Sequence, residues 1–233
     1  MKFNYEAREN EILDLLRRLQ EEGIEFVLVG GYAVSALASH RFSVDCDLAV
    51  PKNSVTKIRS LLKSQLYKKV QERKGFDKVY GGSFESYVKK VSGLDVTLDL
   101  LIDSLVSRAT EASWSYKEIK SLTSTQTVAG VSKGVESPVP SKEMMIAFKI
   151  HAGRLSDARD IVMLADGADW DLVAKLTKRG TLDAVKGNID GVIKILEDKN
   201  TVDSLKGVYS RKGDVSKMLT AAIRHLKALA DKI

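Results

Sequence analysis

Apolar positions repeat first with a helical period and then with the period of a strand. Ile12, Leu13, Leu15, Leu16 and Leu19 share one helical face and Gly23 follows the charged end, which predicts a first helix. Residues 25–29 form a short, apolar, β-rich run that Gly30-Gly31 interrupts, and 32–39 carry Ala and Leu at helical spacing. Residues 44–50 read as a second strand ending at Pro51, and Val55, Ile58, Leu61, Leu62 and Leu66 predict a helix over about 54–67.

The period then shortens. Residues 76–80, Gly81-Gly82 and 84–91 read as a hairpin, with the glycines supplying positive φ for the turn. A strand over 94–102 follows Gly93, and 119–122 and 127–131 are weaker strand candidates. Pro138 and Pro140 disfavour regular structure across Val139. Beyond them Ser141 is a candidate N-cap for a helix through 152, and helical patterns continue over 158–165, 172–178, 182–196 and 215–232. The class is α+β, with a mixed domain over 1–138 and a helical domain over 139–233.

Composition narrows the function classes. Of 233 residues 44% are apolar and 29% charged, which is globular and not disordered. The single cysteine, Cys46, excludes an intrachain disulfide. The first 20 residues are polar, and the longest apolar run, 26–38, is broken by Gly30-Gly31, so neither a secretion signal nor a membrane span is expected and the protein is placed in the cytoplasm. The net charge of +6 is local: Lys52, Lys57, Arg59, Lys63, Lys68, Lys69, Arg73 and Lys74 face only Glu72 within 52–74. That block is either the solvated face of an amphipathic helix or a patch for a polyanion such as RNA, with Lys57, Arg59 and Lys63 as the contacts.

The chemistry concentrates in two stretches. Residues two apart on a strand share a face, so Asp45 and Asp47 point one way and Cys46 the other, as a small core residue. Paired carboxylates can hold divalent cations, and two ions about 3.5–4 Å apart activate the attacking oxygen and stabilise the leaving one in a phosphoryl or nucleotidyl displacement. Two Mg2+ ions fit, with Mn2+ as a substitute. Such a site needs a third carboxylate, and Asp95, Thr97 and Asp99 share one face of the 94–102 strand. Asp99 is the best placed, because Asp95 lies near the turn and Asp103 at the strand's end. Its expected role is to complete the metal ligands and take the proton from the attacking hydroxyl. Gly30-Gly31, between a strand and a helix, lets backbone N–H groups approach phosphate oxygens at the positive helix end. No spacing of His40, His151 and His225 with Cys46 suggests zinc.

The order strand, Gly30-Gly31, short helix, Arg41, Ser43, Asp45-Cys46-Asp47, with a later Asp99 strand, resembles the DNA polymerase β-like nucleotidyltransferase superfamily. Arg41-Phe42-Ser43-Val44-Asp45-Cys46-Asp47-Leu48 is similar to the Arg-x-Thr-x-Asp-Ile-Asp-Leu run of its minimal, AbiEii-type branch, with Ser43 for the Thr. Gly31 stands where the superfamily often has Ser, so a hydroxyl that would touch the triphosphate is missing. The stretch from Lys149 to Asp160 resembles the Lys-x-x-Ala-x-Arg-x-x-Asp-x-x-Asp segment of the same branch. The resemblance implies a mixed, mainly antiparallel sheet flanked by helices, followed by a helical C-terminal domain. It implies an NTP substrate held by Gly30, Gly31, Arg41 and Ser43, an acceptor hydroxyl, and release of pyrophosphate. It also implies that Lys149 meets the triphosphate; the alternative is a lysine that snorkels to solvent or pairs with Asp157 or Asp160. The acceptor is open between RNA such as tRNA, a protein and a small molecule. A second function class, a non-catalytic regulatory protein of a toxin–antitoxin-like pair with a protein partner, retains the fold without turnover.

Overall fold

The computed structural model describes residues 4–75, 77–210 and 213–233. The chain forms two compact units, one of Met1–Ala36, Phe42–Leu105 and Trp114–Pro140, the other of Leu37–Arg41, Val106–Ser113 and Ser141–Ile233.

The first unit opens with α1 (Tyr5–Glu21), which Asn4 caps by accepting from the Ala7 N–H at 2.9 Å. Its apolar stripe from Ile12 to Leu19 is buried, and each such side chain contributes about 1.5–3 kcal/mol of gross burial energy. Then follow β1 (Val27–Val29), α2 (Gly30–Leu37), β2 (Asp45–Val50), a 3-10 turn at Lys52–Ser54 and α3 (Val55–Ser64). The strands β3 (Lys68–Arg73), β4 (Ser83–Val91) and β5 (Leu94–Ile102) complete a five-stranded sheet in the order β1-β2-β5-β4-β3. Three of its four pairings are antiparallel, and β2 with β5 is the parallel exception. Along β5, Val96, Leu98, Leu100 and Ile102 are buried while Asp95, Thr97 and Asp99 take the other face, as the alternation predicted. The sheet is the mixed, mainly antiparallel one expected, in an α+β fold with a helical C-terminal region.

The rest of this unit departs from the sequence reading in three places. The hairpin pairs β3 with β4, with Arg73 opposite Phe84. Residues 77–80 are a turn in which Asp77 Oδ1 accepts from the Val79 N–H, and the Phe76 end of the expected strand lies outside the described residues. The basic block is therefore half helix α3 and half edge strand β3, whose residues are almost all exposed. Residues 119–122 lie mostly in the helix α4 (Tyr116–Ser121), capped by Ser115, which the alternating reading mistook for a strand. Finally, β8 (Thr123–Ala129) pairs antiparallel with β9 (Gly134–Pro140), and β9 carries both prolines. Two residues apart, they omit donors from one edge only, which a two-stranded ladder tolerates. The short strands β6 (Ser104–Ser107) and β7 (Ala112–Ser115) pair with each other.

The second unit is helical: α5 (Lys142–Ala152), α6 (Leu155–Leu164), α7 (Trp170–Thr177), α8 (Leu182–Leu196), α9 (Thr201–Val208) and α10 (Ser216–Ala230). Ser141 caps α5 through the Met144 N–H, and Gly153 ends it at φ 64°. The spacing did not predict α9. Buried residues run continuously from Met144 to His151, so α5 is the unit's central helix. His151 is fully buried, with Nδ1 2.6 Å from Thr110 Oγ1 and Nε2 3.0 Å from the Thr177 carbonyl. Burial, together with nearby Arg179 and against the Thr177 bond, lowers its pKa to about 4, so it is a neutral core histidine.

Candidate active site

The β1–α2 junction and the start of β2 build one wall of the candidate site. Gly30 has φ 69°, and a Cβ there would overlap Asp47 Oδ2 and lie 2.9 Å from its Cγ. Only glycine satisfies both constraints. Gly31 is buried in the first turn of α2. Ser43 donates its hydroxyl to the Asp45 carbonyl at 3.2 Å, and Tyr32 donates to the Ser43 carbonyl at 3.4 Å, so these bonds shape the segment entering β2.

The parallel pairing of β2 and β5 supplies the acidic wall. Asp47 is opposite Asp99 and Asp45 opposite Thr97. Asp45 is exposed, Asp47 and Asp99 are half-buried, and Cys46 is fully buried behind them. Burial raises the Asp99 pKa and Asp45 adds to it, against the pull of a hydrogen bond from Ser86. Asp99 Oδ1 is nevertheless a buried oxygen with no hydrogen-bond partner among the described residues. The Cys46 thiol is pushed well up by burial and then by Asp47, Asp99 and Asp45, which leaves it inert. Among the described residues no three His, Cys, Asp or Glu side chains already close on a metal ion. The donor set nonetheless fits a hard divalent cation: oxygen ligands on one sheet face, one of them buried and unsatisfied.

Two further candidates, Arg41 and Lys149, lie in the helical unit. Arg41 donates Nε to Asp160 Oδ1 at 2.9 Å and Nη2 to Oδ2 at 2.8 Å. Lys149 Nζ lies 2.9 Å from Asp157 Oδ1 and 2.8 Å from Asp160 Oδ2, and Tyr209 donates its hydroxyl to Asp160 Oδ1. Lys149 is 5% exposed, Asp160 1% and Asp157 0%. The two buried carboxylates are thus neutralised by the buried Lys149 and the half-buried Arg41. Burial alone would raise the Asp160 pKa, but Lys149 and Arg41 outweigh it and hold the group below the ordinary carboxylate value. Burial and Asp160 push the Tyr209 hydroxyl up. Arg154 secures the start of α6 through Nε to Asp157 Oδ2 at 2.6 Å. Of these residues only Tyr209 was missed, because it stands alone in a segment without a recognisable pattern.

In the basic block, Lys57 and Lys63 are exposed on α3. Arg59 instead engages Glu85, donating Nε to Oε2 at 3.1 Å and Nη2 to Oε1, while Tyr87 donates to the same carboxylate.

A mixed sheet with acidic strands β2 and β5 side by side, entered through a glycine pair, followed by a helical region, is the framework of a nucleotidyltransferase. The model of the family described as nucleotidyl transferase AbiEii toxin of type IV toxin–antitoxin systems matches residues 14–189, and the chain belongs to that family. No curated protein matches it. Among solved structures, the Helicobacter pylori protein JHP933 is 18% identical over 99% of this chain and 94% of its own, with a TM-score of 0.49. ANT(2'')-Ia, solved with adenylyl-2''-tobramycin, is 14% identical over 72% of this chain and 93% of its own, with a TM-score of 0.49. The lincosamide antibiotic adenylyltransferase LnuA, solved with lincomycin, is 19% identical over 69% of this chain and 98% of its own, with a TM-score of 0.47. No helix among the described residues is long and apolar enough to cross a membrane.

Proposed function

We propose that the protein transfers a nucleoside monophosphate from an NTP to an acceptor hydroxyl, with Asp45, Asp47 and Asp99 as the catalytic and metal-binding residues. The observation that carries this reading is the buried, unpartnered Oδ1 of Asp99 on the strand paired in parallel with that of Asp47. An isolated buried carboxylate oxygen costs stability unless a cation or donor completes it. Asp45 and Asp47 would hold divalent cations from β2, and Mg2+, or Mn2+ in its place, would supply there the polarisation of the α-phosphate and the neutralisation of charge on the leaving pyrophosphate. Asp99, whose environment raises its proton affinity, completes the ligands and accepts the proton of the attacking hydroxyl. Backbone N–H groups of the Gly30-Gly31 turn bind the triphosphate at the start of α2, with Ser43 ordering the adjoining segment. Arg41 and Lys149 are read as members of the ion network of the helical unit, because each spends its charge on Asp160.

RNA is the proposed acceptor class, supported by the cations clustered in 52–74. A toxin of this kind acts in the cytoplasm, where NTPs and RNA are available, and a protein antitoxin is its proposed partner. The test is incubation with Mg2+, each α-labelled NTP and a total cell extract, followed by separate nuclease and protease digestion. Label should enter a nuclease-sensitive species with the wild type and not with Asp47→Ala. Label in neither fraction with any NTP would overturn the reading.

A further inference from the structure

The basic block surrounds a hollow. In the first unit, a cavity of about 470 Å³ is lined by Lys52, Thr56 and Arg59 on one side and by Lys74, Gly75 and Ser83 on the other. Two of these side chains are already positioned. Glu85 is buried and fixes Arg59 by its two-bond contact, with Lys69 3.5 Å from the same carboxylate. Lys74 lies 3.1 Å from Glu72. The other donors remain uncommitted among the described residues: the Lys52 ammonium, Arg59 Nη1 and the hydroxyls of Thr56 and Ser83. Four donor groups around one cavity, two of them cationic, call for a ligand that accepts several bonds at once and carries negative charge. A carboxylate has two oxygens, whereas a phosphate presents oxygens toward every wall of a hollow.

We propose that this cavity binds a backbone phosphate of the RNA acceptor, as an anchoring site separate from the transfer site. The inference rests on the reading of RNA as acceptor and extends it to particular residues. Lys52 lies five residues beyond Asp47 along extended chain, about 16 Å at 3.3 Å per residue. The anchor therefore grips the acceptor away from the reacting hydroxyl and contributes affinity without base readout. Glu85 is the positioning residue: it holds the guanidinium of Arg59 pre-oriented, so less side-chain freedom is lost on binding.

The test is fluorescence anisotropy of a labelled tRNA pool over a salt series. Wild type is compared with Lys52→Ala/Lys74→Ala at the cavity and with Lys57→Ala/Lys63→Ala on the exposed face of α3; both pairs remove the same charge. Arg59 stays intact, because its loss would take the two-bond partner from the buried Glu85. The cavity pair should reduce the slope of log K against log salt by at least about one, the contribution of Lys52, and the α3 pair by clearly less. Inorganic polyphosphate should displace the RNA and polyglutamate should not. Equal slopes for the two pairs, an unchanged slope for the cavity pair, or equal displacement by polyglutamate would each overturn the proposal, the last by favouring an acidic protein partner. The readout needs no turnover, so failure of label transfer would remove the catalytic reading and leave the slopes to decide the cavity.

Discussion

Asp47 and Asp99 occupy the same rung of the parallel β2–β5 ladder, so two carboxylates from segments about fifty residues apart stand side by side on one face of the sheet. Burial and the charge of Asp45 raise the Asp99 pKa. An acid whose folded pKa exceeds its unfolded value contributes its full stability below the unfolded pKa, about 3.9, and loses it as pH rises through the folded value. Asp99→Asn removes that loss. The variant should melt at the wild-type temperature or a few degrees higher at pH 7, while transfer falls by roughly 100-fold or more with the loss of the base. Thermal melts and initial rates on the same preparations check both.

Gly30 is the second expected point of failure. Gly30→Ala places a methyl group where Asp47 Oδ2 stands and puts an L-residue at φ 69°. The strain costs about 1–2 kcal/mol, and Asp47 must move from its place opposite Asp99. Activity should fall much further than stability. Gly23→Ala, also at positive φ but with open space around it, should show the strain and retain activity.

In the helical unit the sign of the pH dependence is reversed. Lys149 and Arg41 hold the Asp160 pKa below its ordinary value, so its contribution is complete above the unfolded pKa and disappears as pH falls through the folded one. Asp160→Asn should destabilise by about 3 kcal/mol at pH 7, because Arg41 loses its two-bond carboxylate and buried Lys149 keeps only Asp157. Urea unfolding from pH 7 down to pH 2 should show the gap between variant and wild type unchanged to about pH 4 and narrowing below it.

Cys46 should resist alkylation in the native protein and react in denaturant, since its thiol is fully buried and its pKa raised. Thiol titration with and without urea checks this, and rapid native labelling would mean that β2 opens readily.

Where residues alternate or cap locally, the sequence foretold the structure. The β5 alternation, the Ser141 cap and the Asp45/Asp47 face were all legible because each depends on neighbours a few positions away. The edge strand β3 was not, because Lys-Lys-Val-Gln-Glu-Arg shows no buried face and owes its conformation to pairing with β4. The prolines of β9 concealed a strand for the same reason, as its conformation comes from pairing with β8. At the candidate site, the carboxylate faces could be read from spacing, whereas the rung shared by Asp47 and Asp99 depends on long-range register. For Lys149 the spacing left two outcomes open, and its contacts are with Asp157 and Asp160.

The most direct test of the carboxylate trio is the initial rate of label transfer from α-labelled NTP to RNA, measured with pyrophosphate release in the same tubes. Wild type, Asp45→Asn, Asp47→Asn and Asp99→Asn are run side by side, with and without EDTA. The expected result is one pyrophosphate per label transferred by the wild type, abolition by EDTA, and a loss of roughly 100-fold or more in each folded variant. A wild-type rate in any of the three variants, or transfer that persists in EDTA, would contradict the account.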